Sequence, residues 1–191
     1  SASELERRTL VIEDLDQGRP MLIQTDLRAL SEAERRFAGH MLAVAELIDA
    51  LYAEQNGLTE LARQIPEDDP SSKRLFWRNW SPRCKAPKTE NEPACSAVPG
   101  APPQVFGVYP AELQKDPKFC EVLEKHPDAK ALLDPFVAIR SVEGKLQAVP
   151  YTQAWPELTG RIAEELRAAA AVLGEDEAPL KAYLLAAAQS F

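Results

Sequence analysis

The chain has 191 residues, 45% of them apolar, with 22 basic against 30 acidic side chains and a net charge of −8. That apolar content supports a buried core and excludes global disorder. The acidic balance excludes a nucleic-acid binder, which needs a basic face to displace phosphate counterions, and electrostatic docking to anionic lipid.

No run of 18 apolar residues is present to span a membrane, and residues 1–20 lack the apolar core of a signal peptide. The sequence starts at Ser1 rather than Met, which fits a removed leader or an internal boundary. Residues 24–80 are expected to hold the amino-terminal helices. The clearest runs over 31–56: Ser31 and Glu34 form a capping box. Phe37, Met41, Val44, Ile48 and Leu51 follow at helical steps on one face, and Asn56-Gly57 is a stop signal. His40 stands at the edge of that stripe and reads as a boundary side chain, with ligand or base as the lesser reading. A short helix is expected at 58–64, and another from Pro70 through the aromatic residues Phe76, Trp77 and Trp80.

Residues 81–110 form a long Pro-rich loop, and loops of such length are functional or tied down. Cys84 and Cys95 lie inside it. Their spacing is too wide for a C-x2-C zinc site, and they are read as a disulfide, worth about 3 kcal/mol by loop closure. That bond implies an oxidising, extracytoplasmic compartment, periplasmic or secreted. The rings of Phe76, Trp77 and Trp80, with Phe106 and Tyr109 beyond the loop, are read first as anchors of a strapped connector and second as a binding surface. Residues 105–110 are expected to be extended.

Over 111–191 the sequence predicts helices and one hairpin. Phe119, Val122 and Leu123 point inward on a helix from Pro117 to Lys125, with Cys120 as a small buried residue. His126-Pro127 ends it, and 128–133 is a further helical turn. Strands 136–142 and 146–151 flank Glu143-Gly144-Lys145. A helix over 153–173 carries Trp155, Leu158, Ile162, Leu166, Ala169 and Leu173. The last, 178–190, carries Leu180, Leu184, Ala187 and Phe191, and its apolar stripe runs to the final residue as if a longer chain continued. The fold class is therefore mainly α: a single helical domain over 1–191 with one small β-hairpin at 136–151 and a Pro-rich connector.

The sequence holds no G-x-S-x-G, no Gly-rich phosphate loop, and no H-E-x-x-H or longer variant beginning at His40 or His126. Glu164-Glu165 reads as a solvated face. No catalytic constellation, metal ligand or cofactor site emerges.

TDLRALSEAERRFAGHMLAVAELIDALYAEQNG (25–57) is similar to the helix entry of the dipeptidyl-peptidase-III-like zinc metallopeptidases, in the frame of Asp26, Leu27, Leu30, Ser31, Glu34, Ala45, Ile48, Asp49 and Leu51. FGVYPAEL (106–113), LLDPFVAIRSVEGKLQAVPYTQAW (132–155) and APLKAYLLAAAQSF (178–191) resemble later segments of that family in the same order. The resemblance implies a portion that precedes the catalytic segment. That family's zinc motif, H-E-x-x-x-H, is missing here, and EELRAA (164–169) imitates its later E-E-x-(R/K)-A-(D/E) but ends in Ala169. No family metal ligand or catalytic Glu carries over, and the Cys84–Cys95 insert departs from the family's G-x-W-D-like pattern. The expected function is a non-catalytic helical part forming one wall of a peptide cleft, partnered by peptide or by the catalytic remainder of a longer chain. The alternative is a free-standing extracytoplasmic interaction module working through 76–110.

Overall fold

The structure, a computed structural model, describes residues 2–191. In chain order its elements are Ala2–Asp16 (α1), Glu32–Gln55 (α2), Leu58–Ala62 (α3), Pro70–Asn79 (α4), Phe119–Glu124 (α5), Ala129–Leu132 (α6), Val137–Val142 (β1), Lys145–Pro150 (β2), Tyr151–Ala154 (α7), Pro156–Ala171 (α8) and Ala178–Ser190 (α9). The fold is mainly α with a single two-stranded hairpin among the described residues. The contacts form two compact units. Unit 1 takes the chain up to Ile23 and Ala53–Phe106; unit 2 takes Gln24–Tyr52 and Gly107–Phe191.

Unit 1 opens with a helix that apolar periodicity does not signal. The inward residues of α1 are Arg7, Val11 and Asp14; they share a face at i, i+4 and i+7, but two of them are charged. α1 packs on α4. Pro70 occupies the first turn of α4, where its missing N–H costs nothing, and Asp69 caps the helix by accepting from Ser72 N at 3.0 Å. Leu58, Leu61, Leu75, Phe76, Val98 and both loop cysteines close the core around Val11. Gly57 stands at φ 65°, and a Cβ there would lie 1.8 Å from the carbonyl oxygen of Val105; only glycine permits that approach.

In unit 2 the capping box is present. Glu34 Oε2 accepts from Ser31 N at 2.6 Å, and Ser31 Oγ accepts from Glu34 N at 3.2 Å. Along α2 the buried stripe is Val44, Leu47 and Leu51, with Phe37 and Met41 half-buried. Ile48, expected inside, is 43% exposed; Leu47 takes its place because the helical period drifts against a strict seven-residue repeat. This stripe shares a core with Ile162, Leu166, Ala169 and Leu173 of the α8 segment and with Leu184 and Ala188 of α9. Leu180, also expected inward, is exposed.

The expected helix over 153–173 is broken at Trp155 (φ −136°, ψ 62°), because the residue before Pro156 avoids the helical region. Glu143 (φ 52°) and Gly144 (φ 78°) make the hairpin loop, both at positive φ as a two-residue type I′ turn requires, and Lys145 joins β2. Residues 107–109 turn rather than extend, and Val108 O accepts from Ile139 N at 2.8 Å. A small second cluster of Leu123, Leu132 and Ile139 lies under the hairpin. Within α5 only Leu123 is fully inward; Val122 and Cys120 are exposed, since a helix of six residues presents little more than one face-centre to its neighbour.

Candidate functional site

Two places in the molecule gather functional groups, one in each unit. In unit 1 the Cys84–Cys95 disulfide is formed, with Cα atoms 5.6 Å apart, and it closes the base of a loop that has no helix or strand beyond an isolated Arg83–Ser96 bridge. Two buried charges face this loop. Asp14 Oδ2 accepts from Lys85 N at 3.1 Å, Ala86 N at 2.9 Å and Thr89 Oγ1 at 2.6 Å, while Oδ1 pairs with Arg78. Burial pushes this carboxyl up, but the bonds from Thr89 and Ala86 and the Arg78 charge win and hold it below the usual carboxylate range. Arg7 Nη1 donates to Ser72 Oγ at 2.8 Å and to the carbonyls of Ser96 at 2.7 Å and Ala97 at 3.2 Å; Nη2 meets Asp69 at 2.5 Å. Glu4, bonded by Arg7 and Arg8, is held down at about 2.

Asp14, Cys84 and Cys95 bring three potential metal-ligating atoms within 4.8 Å. The chemistry of the set argues against a cation there. The sulfurs are bonded to each other, and four donors occupy the Asp14 carboxylate. His40 Nδ1 lies 2.7 Å from Glu165 Oε2, and His126 Nδ1 accepts from Asp128 N at 3.1 Å. The His40–Glu165 pair, 125 residues apart in sequence, joins two side chains that each read as boundary or solvated on their own helix.

The aromatic residues singled out above fall in different settings. Phe76 is fully buried and belongs to the core, so it offers no free face. Trp77 is 45% exposed and stands edge-on to both Phe76 and Trp80, with ring centroids 5.2 and 5.3 Å away. Trp80 is half-buried and ends α4 in the left-handed region, and Phe106 is exposed at the end of the loop. Tyr109 belongs to unit 2, where it packs against Phe119 at 5.2 Å.

Unit 2 builds its own aromatic corner at the open end of the hairpin, where β1 begins and β2 ends. Arg140 donates to Gly107 O at 2.9 Å and lays its guanidinium 5.3 Å from the Trp155 ring centroid, a cation–π geometry. Tyr151 meets Trp155 at 5.4 Å, and its hydroxyl is pushed up by burial and by nearby Tyr109. Beside it, a mostly apolar recess of about 470 Å³ opens among Leu51, Phe136, Pro150, Tyr151, Ser190 and Phe191. That volume suits a small ligand or a bulky side chain. Phe136, 72% exposed at its rim, carried no sequence signal beyond the resemblance; the pairing of a strand start with the following proline and tyrosine is what positions it.

The backbone as a whole superposes on two solved structures. A DPP III from Caldithrix abyssi matches with a TM-score of 0.75 at 24% identity, covering 94% of this chain and 34% of its own. A dipeptidyl-peptidase III from Corallococcus sp. strain EGB matches at 0.74 and 22%, covering 96% of this chain and 35% of its own. In fold, the chain is a partial DPP III-like domain. It spans about a third of the length of those DPP III chains, and at these identities the likeness to DPP III is one of fold. No family model and no curated protein matches the sequence.

Proposed function

We propose that this chain is the non-catalytic helical front part of a DPP III-like hydrolase and forms one wall of its peptide cleft, with the catalytic remainder of a longer chain as its partner. The observation that carries this reading is the fold likeness, which takes in 94% of the chain at a TM-score of 0.75. The recess at Phe136, Pro150 and Tyr151 supports it, being apolar and sized for a peptide side chain. The role of the wall is to bind and orient substrate; the proton transfers and any metal belong to the partner.

A chimera tests this. The matched third of the Caldithrix abyssi DPP III is replaced by this chain, and dipeptide release from a tetrapeptide is followed. Activity is expected in the chimera, none in residues 1–191 alone, and Phe136→Ala is expected to raise KM with kcat unchanged, as loss of ground-state binding does. A folded but inert chimera sinks the proposal. So does peptide turnover by residues 1–191, or one tightly held zinc per chain by elemental analysis.

The disulfide favours a second reading, an extracytoplasmic interaction module presenting Trp77 and Phe106 to a protein partner. Cell fractionation separates the two: chain found in a reducing cytosol with three free thiols counts against this second role.

A further inference from the structure

The amino-terminal helix is fastened to unit 1 on two sides, by α4 with the residues just before it and by the disulfide loop, and we propose that the Cys84–Cys95 bond is a redox latch on α1, docking the helix when closed and releasing it when opened. α1 brings one fully buried apolar side chain, Val11, with Leu10 and Leu15 half-buried. The remaining attachment is polar. Near one end, Arg7 reaches the carbonyls of Ser96 and Ala97. Near the other, Asp14 receives Lys85 N, Ala86 N and Thr89 Oγ1. Just past the helix, Gln17 Oε1 accepts from Lys88 N at 2.8 Å and Nε2 donates to Thr89 Oγ1 at 3.1 Å. Every one of these loop partners lies between Cys84 and two residues beyond Cys95. Asp69, Ser72 and Arg78 of the α4 region complete the two charged sites from the rigid side.

The loop has no ladder or helix to hold those amides and carbonyls in place. Its shape is set at the base by the disulfide, assisted by Cys84 N donating to Cys95 O at 3.3 Å and Ala97 N to Pro82 O at 2.7 Å. When a dithiol supplies two electrons and two protons, the S–S bond breaks, Cys84 and Cys95 become thiols, and the dithiol leaves as its own disulfide. The ends of the loop then lose their covalent tie. Arg7 and Asp14 lose partners while still buried, and an under-bonded buried charge is strongly disfavoured. Moving α1 into water relieves both at the cost of exposing Val11, the covered parts of Leu10 and Leu15, and the core side chains they meet. Both sulfurs are buried, so exchange waits on local opening of the loop.

Amide hydrogen exchange on residues 1–191, oxidised and after dithiothreitol, decides it, with thiol counting to verify two new thiols besides Cys120. Exchange through α1 is expected to rise about tenfold or more on reduction, with α8 unchanged and α4 keeping most of its protection. Unchanged α1 protection in the reduced chain overturns the latch; so does loss of α4 together with α1, which would make the bond a staple of the whole core. Because replacing both cysteines by serine risks the fold, Asp14→Asn provides a second arm with the disulfide intact. It is expected to speed α1 exchange while α4 stays protected, and α1 exchange equal to the parent, or loss of α4, overturns the latch as well.

Discussion

The two units solve the same problem by different chemistry. Unit 2 is held by helix on helix: α8 and α9 pack through Ala169, Ala170 and Ala188, small residues that let the backbones approach, and Ile162, Leu166 and Leu184 fill the space against α2. Unit 1 has a shorter inventory of helix and a long coil, and it compensates with a covalent bond and buried polar pairs. Among the described residues every buried polar or charged side chain except Thr159 lies in unit 1. Apolar packing is tolerant and roughly additive in buried area; a buried charge network is stabilising only when complete. The difference implies that unit 2 degrades gradually under substitution and unit 1 abruptly.

The largest expected effect is in unit 1. Asp14→Ala takes the charged acceptor from Arg78, from the part-buried Lys85 and Ala86 amides and from the buried Thr89 hydroxyl, and is expected to cost about 3–5 kcal/mol through those charge-assisted bonds. Urea unfolding followed by Trp77 and Trp80 fluorescence in a Trp155→Phe background measures it; a loss below about 1 kcal/mol would show that the network is dispensable. The counterpart in unit 2 is Ile162→Ala, expected to cost about 2–5 kcal/mol by cavity formation, with Ile162→Val costing about 0.5–1.5. If those two do not scale with volume removed, the picture of a graded apolar core fails.

Acid separates the units next. Asp14 and Asp69 titrate below their ordinary range when folded, and Glu4 does so at about 2. Their stabilisation is therefore complete above the unfolded carboxyl values near 4 and fades as pH falls from there toward the folded values. Exchange protection in α1 and α4 is expected to decline over that window ahead of that in α8. Loss of α8 first would contradict the comparison. The smallest effect is local: Ser31→Ala removes one half of the capping box of α2 and is expected to cost about 1 kcal/mol, read as a modest fall in thermal midpoint.

The same contrast decides what was legible in the sequence. The boundaries of α2 were readable because Ser31 and Glu34 carry their own partners within one turn, and the hairpin because Glu143-Gly144 announces its turn locally. The swap of Leu47 for Ile48 was not readable, since steps of three and four both continue a helical stripe. α1 escaped altogether: its inward face is Arg7, Val11 and Asp14, and apart from Glu4 the groups that make those charges tolerable lie more than sixty residues away. Its local signs are the Glu4–Arg7 and Glu4–Arg8 pairs at i, i+3 and i, i+4. The Cys84–Cys95 pairing followed from count and spacing, whereas the recess at Phe136 needs the fold to bring a strand start beside Leu51 and Phe191.

Gly57 has a consequence for chain architecture. Its backbone touches that of Val105, and Asn56 O accepts from the Gln104 side chain at 2.8 Å, so the excursion from residue 57 to 105 departs and returns through a single doorway. A short Gly-Ser bridge from Asn56 to Phe106 spans no gap; α8 and α9 should keep their exchange protection when it is installed, and α1, whose long-range hydrogen-bond partners lie in the excised stretch, should lose its own. Collapse of α8 and α9 on excision would mean that the doorway is structural to the rest of the chain, and not merely an entrance.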